Sequence, residues 1–282
     1  MALLDVLVPT YRRKTGLAML LTSLLGQTFT DFDVVISDQT PEAETYVSSV
    51  EIEQAVRALE WHGHRVAIHR HIPSQGLAEQ RQYLLERSGA PFVQYLDDDL
   101  LLGPTVLERM MRVMREEGCG FVGCPAVGLE FLGDLRPHQQ TIEPWKGRVQ
   151  PEPFSPGEVP WGRHVVNNAA NPLHLEQQLL SPGETLRYHV AWVGGNVLYD
   201  RSKLLDVGAF SFWPRLPREH AGEEVVVQFL LLRYYGGCGV LPAGTYHLGL
   251  PTTVPVRDVN ATALYADLIR EYEERRRDQA AA

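Results

Sequence analysis

Three consecutive acids, Asp97, Asp98 and Asp99, are the side chains in this sequence that are best placed for chemistry. They follow a run of strand-forming residues, 92–96, so we expect them at the carboxyl end of a buried strand, where open α/β sheets bind ligands. Adjacent carboxylates repel one another, and a divalent cation carrying a phosphate would offset that repulsion. The alternative is a solvated acidic turn that starts a helix, because acids favour helix N-termini.

A second pair of acids, Glu223 and Glu224, follows Gly222 at the start of a helix predicted over 223–235. A carboxylate in this position could accept the proton of an attacking hydroxyl group, as general-base catalysis requires. Both acids could also be plain first-turn residues that stabilise the helix N-terminus.

Strands and helices that alternate through the first 127 residues must position these acids, and this alternation predicts a parallel sheet covered by helices. From Pro104 onward, Leu107, Met110, Met111 and Met114 share one helical face. The periodicity predicts strands at 5–8, 33–36, 66–72, 92–96 and 121–127, and helices at 17–25, 42–59, 77–87 and after 104.

The amino-acid composition changes at Gly128, after which the chain is rich in Pro, Gly, Gln, Asn and His up to about residue 187. Such a stretch predicts an irregular insert made of functional loops. Order resumes with strands at 188–193 and 197–199, the helix at 223–235, short strands within 240–248 and a charged helix at 259–278. We expect one domain over 1–282, with a nucleotide-binding half at 1–127 and an acceptor-binding half at 128–250.

Composition narrows the class of protein. With 282 residues and 44% hydrophobic residues the chain can bury a large core, and its net charge of −9 argues against nucleic acid as a partner. Its three cysteines do not form an even disulfide set, which favours a reducing compartment, and we expect the cytoplasm. No apolar run approaches the roughly 20 residues that a spanning helix needs, so we expect no membrane span, with peripheral association left open.

Several separated motifs occur in an order and spacing that resembles the family 2 glycosyltransferases of the GT-A fold, across roughly residues 3–250. The first is Val-Pro-Thr-Tyr-Arg-Arg at 8–13, and another is Tyr-Leu-Asp-Asp-Asp at 95–99 with Pro104 behind it. The others lie at 23–28, 35–40, 76–82, 194–196, 222–224 with Arg233, and His247. The resemblance implies an α/β fold, a three-layer α/β/α sandwich with a mainly parallel mixed sheet.

The resemblance also implies an activity, the inverting transfer of a sugar from a nucleoside diphosphate sugar, expected to be UDP-linked, to the hydroxyl group of an unknown acceptor. Glu224 matches the position of the catalytic base, with Glu223 as the alternative, and the cation is expected to be Mn²⁺ or Mg²⁺ on Asp99, His247 and Asp97. The implied nucleotide contacts are Pro9, Thr10, Tyr11, Arg13, Asp38, Arg81, Asp97 and Asp98. The expected acceptor contacts are Trp192, Gly194, Gly195, Asn196 and Trp161.

Three departures from the family pattern bear on these roles. Relatives often have Asn at the position of Arg12, an acid at Ser37 and Asp at Glu224, and the last change leaves the base open between Glu223 and Glu224. Each residue also has a structural interpretation: Asp38 as a turn residue, Arg81 as a surface ion pair, His247 as a satisfied strand histidine, and the tryptophans as core.

Other functions remain as alternatives. A non-catalytic nucleotide-sugar or glycan binding protein of the same fold would need the nucleotide site without the acids at 223–224 in the same cleft. A sugar-nucleotide pyrophosphorylase is disfavoured because residues 9–14 contain no glycine. A Rossmann dehydrogenase is disfavoured because no Gly-x-Gly-x-x-Gly follows the first strand.

Overall fold

The computed structural model describes residues 2–128, 142–163 and 172–281, and its centre is a mixed eight-stranded sheet. The strands of this sheet are β1 (Leu4–Thr10), β2 (Phe32–Asp38), β3 (Val66–Arg70), β4 (Phe92–Leu96), β6 (Phe121–Gly123), β8 (Leu186–Tyr188), β9 (Asn196–Asp200) and β10 (Gly237–Leu241). They lie in the order β3-β2-β1-β4-β9-β6-β10-β8. A second sheet has the order β5-β11-β7, from β5 (Leu100–Leu102), β11 (Thr245–His247) and β7 (Ala126–Gly128).

Parallel pairing brings the carboxyl ends of the first strands to one edge of the main sheet. β1 lies between β2 and β4 and is parallel to both, with Thr10 opposite Asp38 and Leu7 opposite Tyr95. The acids that follow β4 therefore project beside the end of β1. This arrangement confirms the predicted α/β fold with a mixed sheet and places the acids at the edge where such sheets bind ligands.

Eight helices connect or flank these strands in the described residues: α1 (Lys14–Leu24), α2 (Val50–Trp61), α3 (Leu77–Glu86), α4 (Val106–Glu117), α5 (Pro172–Leu179), α6 (Arg201–Asp206), α7 (Glu223–Tyr235) and α8 (Tyr265–Ala281). α4 buries the predicted face of Leu107, Met110, Met111 and Met114. It ends at Gly118, whose φ of 60° is the left-handed conformation that glycine adopts at helix ends.

Five elements differ from the sequence prediction. The expected strand at 121–127 is two strands in two sheets, because Pro125 has no N–H for the ladder and the chain leaves the main sheet there. The residues directly after Asp99, for which no strand was predicted, form β5. This short strand is stabilised by pairing with β11, where Leu100 lies opposite His247.

The other three differences lie at 42–59, 128–187 and 188–193. The predicted helix begins only at Val50, after a 3-10 turn at Glu42–Glu44. The predicted irregular insert contains α5 and the first two residues of β8, and of the strand expected at 188–193 only Tyr188, the last residue of β8, is in a strand. Residues 129–141 and 164–171 lie outside the described part of the chain. No described helix is long and apolar enough to cross a membrane.

The close contact between β10 and β8 leads to a first testable prediction, about stability. Gly239 lies opposite Tyr188, and a Cβ atom added at Gly239 would lie 2.3 Å from Cζ of that ring. We expect Gly239→Ala to lower the free energy of unfolding by about 1–3 kcal/mol, because a buried aromatic ring would have to move. Gly157→Ala is the control, because nothing lies within 4 Å of its added Cβ. Urea unfolding curves with equal midpoints for both variants would contradict this packing.

Candidate active site

A cleft of about 570 Å³ opens at the carboxyl edge of the main sheet and contains most of the predicted site residues. Its walls come from the ends of β1, β4 and β11 and from the start of α7. The predicted residues that line it are Pro9, Thr10, Tyr11, Arg13, Arg81, Asp97, Asp98, Asp99, Trp161, Trp192, Glu223, Glu224 and His247. A cavity of equal volume between α4 and residues 176–185 contains none of them.

Asp98 connects the ends of β4 and β1. Its Oδ2 accepts a hydrogen bond from Thr10 Oγ1 at 2.6 Å, and Thr10 Oγ1 lies 2.5 Å from the hydroxyl of Tyr46. Burial raises the pKa of Asp98 to about 6, against the lowering effect of the Thr10 hydrogen bond and of Arg13. Asp98 is therefore engaged by protein donors at the base of the cleft.

Asp99 faces a histidine and an arginine. Its Oδ2 lies 3.3 Å from Nε2 of His247 and 2.5 Å from Nη1 of Arg13. Burial raises the pKa of Asp99, but His247 and Arg13 outweigh it, so the net shift is downward and the ionised form is favoured. Its Oδ1 is buried without a hydrogen-bond partner among the described residues.

Asp97 points to the other side of the cleft. Its N–H donates to the carbonyl of Gly195 at 2.8 Å, and its Oδ1 lies 3.5 Å from Nη2 of Arg81. Gly195 has a φ of 77°, and a Cβ there would lie 3.3 Å from Asp97 Oδ2. Burial raises the pKa of Asp97, opposed by Arg81 and reinforced by Asp99 and Glu223.

The buried guanidinium of Arg81 joins three carboxylates that come from two elements. Its Nε lies 3.3 Å from Glu223 Oε1, and its Nη2 lies 3.1 Å from Glu224 Oε2 on the same helix and 3.5 Å from Asp97 after β4. Burial opposes its charged form, but Glu224, Glu223 and Asp97 together raise the pKa of Arg81. Tyr95 donates its hydroxyl to the carbonyl of Arg81 at 2.6 Å and fixes the backbone there.

Glu224 is the more exposed of the two acids at the start of α7, with side-chain exposures of 16% for Glu224 and 5% for Glu223. A helix N-terminus favours the ionised form of an acid, so the position of Glu224 at the start of α7 would by itself favour its carboxylate. In the structure, however, burial raises the pKa of Glu224 to about 8, against Arg81 and with help from Asp97 and Glu223. Desolvation and the repulsion of the two neighbouring carboxylates together outweigh the attraction of Arg81.

The remaining predicted residues do not line the cleft. Asp38 is fully buried, and its carboxylate accepts from Arg70 and from the Thr40 N–H, the latter at 2.8 Å. Asn196 is buried in β9 and bonds to Gln94 and Thr245. Gly194 packs beside two residues that do, since an added Cβ there would lie 3.0 Å from the Trp192 ring and 3.3 Å from Glu224 Oε1. The roles implied for these residues, like those of the residues that line the cleft, stay predictions.

The cleft also contains residues that the sequence analysis missed. His220 accepts from the Ala78 N–H at 3.2 Å and donates from Nδ1 to the Pro217 carbonyl, so it caps the start of α3. Residues 250–257 form part of another wall, and their Thr-, Val- and Pro-containing sequence has no periodicity that would have indicated it. Asn260 and Thr262 complete this side.

The donor set fits a divalent cation that shares its coordination with a phosphate. Within the described residues, no three His, Cys, Asp or Glu side chains are already grouped as a metal site. Asp99 and His247 nevertheless adjoin each other, and the unpartnered Oδ1 of Asp99 is a ligand of the kind that hard cations prefer. Phosphate oxygens and water could fill the other positions, whereas Asp97 faces Arg81 in this structure.

Comparison with known proteins identifies the family. Residues 5–166 match the family model described as glycosyl transferase family 2. The chain belongs to this family. It is 30% identical over 125 residues to a protein of Haemophilus influenzae named as an uncharacterized glycosyltransferase. That match covers 44% of this chain and 39% of the relative, so the chain spans well under half of that protein.

Solved glycosyltransferase structures share the fold of this family 2 member. S. aureus TarS 1–349 in complex with UDP-GlcNAc superposes with a TM-score of 0.54 at 16% identity, over 95% of this chain and 65% of that one. The mannosyltransferase PcManGT of Pyrobaculum calidifontis, in complex with GDP-Man and Mn²⁺, gives a TM-score of 0.50 at 16% identity, over 84% and 56%. These likenesses confirm the predicted GT-A fold.

The raised pKa of Glu224 makes a prediction about stability. Its pKa lies above the ordinary value of 4.5, at about 8, so protonated Glu224 stabilises the fold at low pH and this contribution is lost as the pH rises through 8. We expect the parent to lose unfolding free energy relative to Glu224→Gln between pH 5 and 8, because Gln cannot ionise. Urea unfolding in EDTA measures the difference, and a difference that stays constant over this range would contradict the assignment.

Proposed function

We propose that this family 2 member is a divalent-cation-dependent inverting glycosyltransferase that moves a sugar from a nucleoside diphosphate sugar to an acceptor hydroxyl group. The observation that carries the proposal is that Asp99, His247 and Glu224 line one cleft. A departing diphosphate needs positive charge, and an attacking hydroxyl group needs a base, so one cleft must hold both. A non-catalytic binding protein would not need Glu223 and Glu224 beside the acids after β4.

On the donor side, Asp99 and His247 would hold Mn²⁺ or Mg²⁺, which supplies charge stabilisation to the diphosphate when bound. Pro9, Thr10 and Tyr11, at the end of β1, would lie against the nucleoside. The presence of UDP-GlcNAc in TarS and of GDP-Man with Mn²⁺ in PcManGT supports a nucleotide-sugar donor and a cation.

UDP is the nucleotide we favour, on the family position of Asp38. Because Asp38 is paired with Arg70, recognition of a uracil ring through this carboxylate would require it to exchange one protein donor for the ring N–H.

On the acceptor side, Glu224 would take the proton of the attacking hydroxyl group. Glu224 must be ionised to do so. Positive charge that arrives near Asp97 with the donor would lower the pKa of Glu224 from about 8. Attack from the side opposite the diphosphate inverts the anomeric carbon. Trp161 and Trp192 line the same cleft and offer aromatic faces on which a glycan acceptor could stack.

The two halves of the chain would divide these tasks. Residues 1–127 would bind the nucleotide, and residues 128–250 would supply the base and the acceptor contacts, within one domain that includes helix α8. The acceptor could be a glycan, a lipid-linked sugar or a small molecule. The cytoplasmic location stays a prediction.

The base is tested by Glu224→Gln. We expect the rate of sugar transfer to fall by about 10²–10⁴, the usual effect of removing a general base, while UDP affinity in the presence of Mn²⁺ stays within about twofold of the parent. Glu223→Gln is the comparison and should lose less, because Glu223 is the more buried acid. UDP release from the nucleotide sugar that the parent turns over measures the rate. Parent-like turnover in both variants would remove the base from this mechanism.

The cation role is tested by Asp99→Asn. We expect the parent to bind UDP more tightly with Mn²⁺ than with EDTA, and Asp99→Asn to lose most of that difference in titration calorimetry. Asp98→Asn should keep more of it, because Asp98 is occupied by Thr10. If the parent binds UDP equally well in EDTA, the cation has no role in nucleotide binding.

A further inference from the structure

An arginine occupies the position that a cation on Asp99 would need. Nη1 of Arg13 lies 2.5 Å from Asp99 Oδ2 and 3.1 Å from Asp98 Oδ1, with the side chain only 14% exposed. The same Asp99 oxygen lies 3.3 Å from Nε2 of His247. The guanidinium therefore neutralises the carboxylate that the proposed function assigns to the cation.

Two hydrogen bonds connect the loop after β11 to the acidic cluster, by which we mean Asp98 and Asp99 with their partners Arg13 and His247. Nη2 of Arg13 donates to the carbonyl of Pro251 at 2.7 Å, and the N–H of Gly249 donates to Nδ1 of His247 at 3.0 Å. Because a backbone amide can only donate, Nδ1 must be an acceptor, and the proton of the neutral ring is on Nε2, facing Asp99. We call residues 249–257 the strap, and several of its members line the cleft.

Neither of these two hydrogen bonds is compatible with a cation bound to Asp99 and His247. Nε2 can ligate a metal only with a free lone pair, so the ring proton must move to Nδ1, and the bond from Gly249 is then lost. Arg13 must also leave Asp99, because its positive charge would repel a divalent ion at contact distance. Its bond to Pro251 depends on this position of the guanidinium.

We propose that Arg13 is an internal cation of the metal-free protein, and that a divalent cation displaces it from Asp99 and thereby detaches the strap from the acidic cluster. This inference rests on the cation site of the proposed function. The position of the cleft wall that the strap forms would then depend on whether the cation is bound. Arg13 thus sets the affinity for the cation as well as the position of the strap.

The test measures Mn²⁺ binding to the full chain without nucleotide, from the electron paramagnetic resonance signal of free Mn²⁺. We expect Arg13→Gln to bind Mn²⁺ about tenfold or more tightly than the parent, because a competing charge is removed from the ligand. Arg12→Gln is the matched control and should stay within about twofold of the parent. Arg12 is the neighbouring residue, and its guanidinium pairs with Glu44 at 2.6 Å, outside the cluster.

Hydrogen exchange of the unmutated protein gives an independent readout. We expect the amide of Gly249 to exchange faster when Mn²⁺ is saturating, because its bond to His247 is lost. Unchanged exchange throughout residues 249–257, or an Arg13→Gln variant that binds Mn²⁺ no more tightly than the parent, would overturn the inference and leave the cation site intact. Absence of Mn²⁺ binding in both proteins would overturn the inference and the cation site together.

Discussion

Repulsion among carboxylates is the constraint on which this cleft depends. Acids from the end of β4 and from the start of α7 converge at one edge of the sheet, and two guanidinium groups keep them together. Arg81 is 3% exposed and shared by three carboxylates, so it is a fixed part of the fold. Arg13 is 14% exposed and bound to a loop, so it can be exchanged for another cation without opening the core.

The surroundings of the cleft shift the pKa values of two nearby carboxylates in opposite directions. His247 and Arg13 lower the pKa of Asp99, whereas burial beside Asp97 and Glu223 raises that of Glu224 to about 8. Environments that separate the pKa values of neighbouring acids are typical of sites that divide acid–base tasks. Asp99 is therefore suited to be a cation ligand that stays ionised, and Glu224 is suited to be a group that gains and loses a proton near neutral pH.

Local sequence patterns predicted the elements that bear the site but not the charges around it. The run before Asp97 and the apolar face of α4 are local features, so strand, acids and helix could be placed from sequence. β5, and the second sheet that β7 joins after the break at Pro125, depend on pairing with distant β11, which periodicity does not encode. The engagement of Arg13 by Asp99 and of Asp38 by Arg70 also depends on tertiary contacts and had no signal in the sequence.

A crystal structure with UDP and Mn²⁺, with anomalous data that locate the manganese, tests the central claim most directly. We expect one anomalous peak within coordination distance of Asp99 and a diphosphate oxygen, with Arg13 moved away and Glu224 facing the open end of the same cleft. Manganese elsewhere, or UDP bound while Arg13 stays on Asp99, would contradict it.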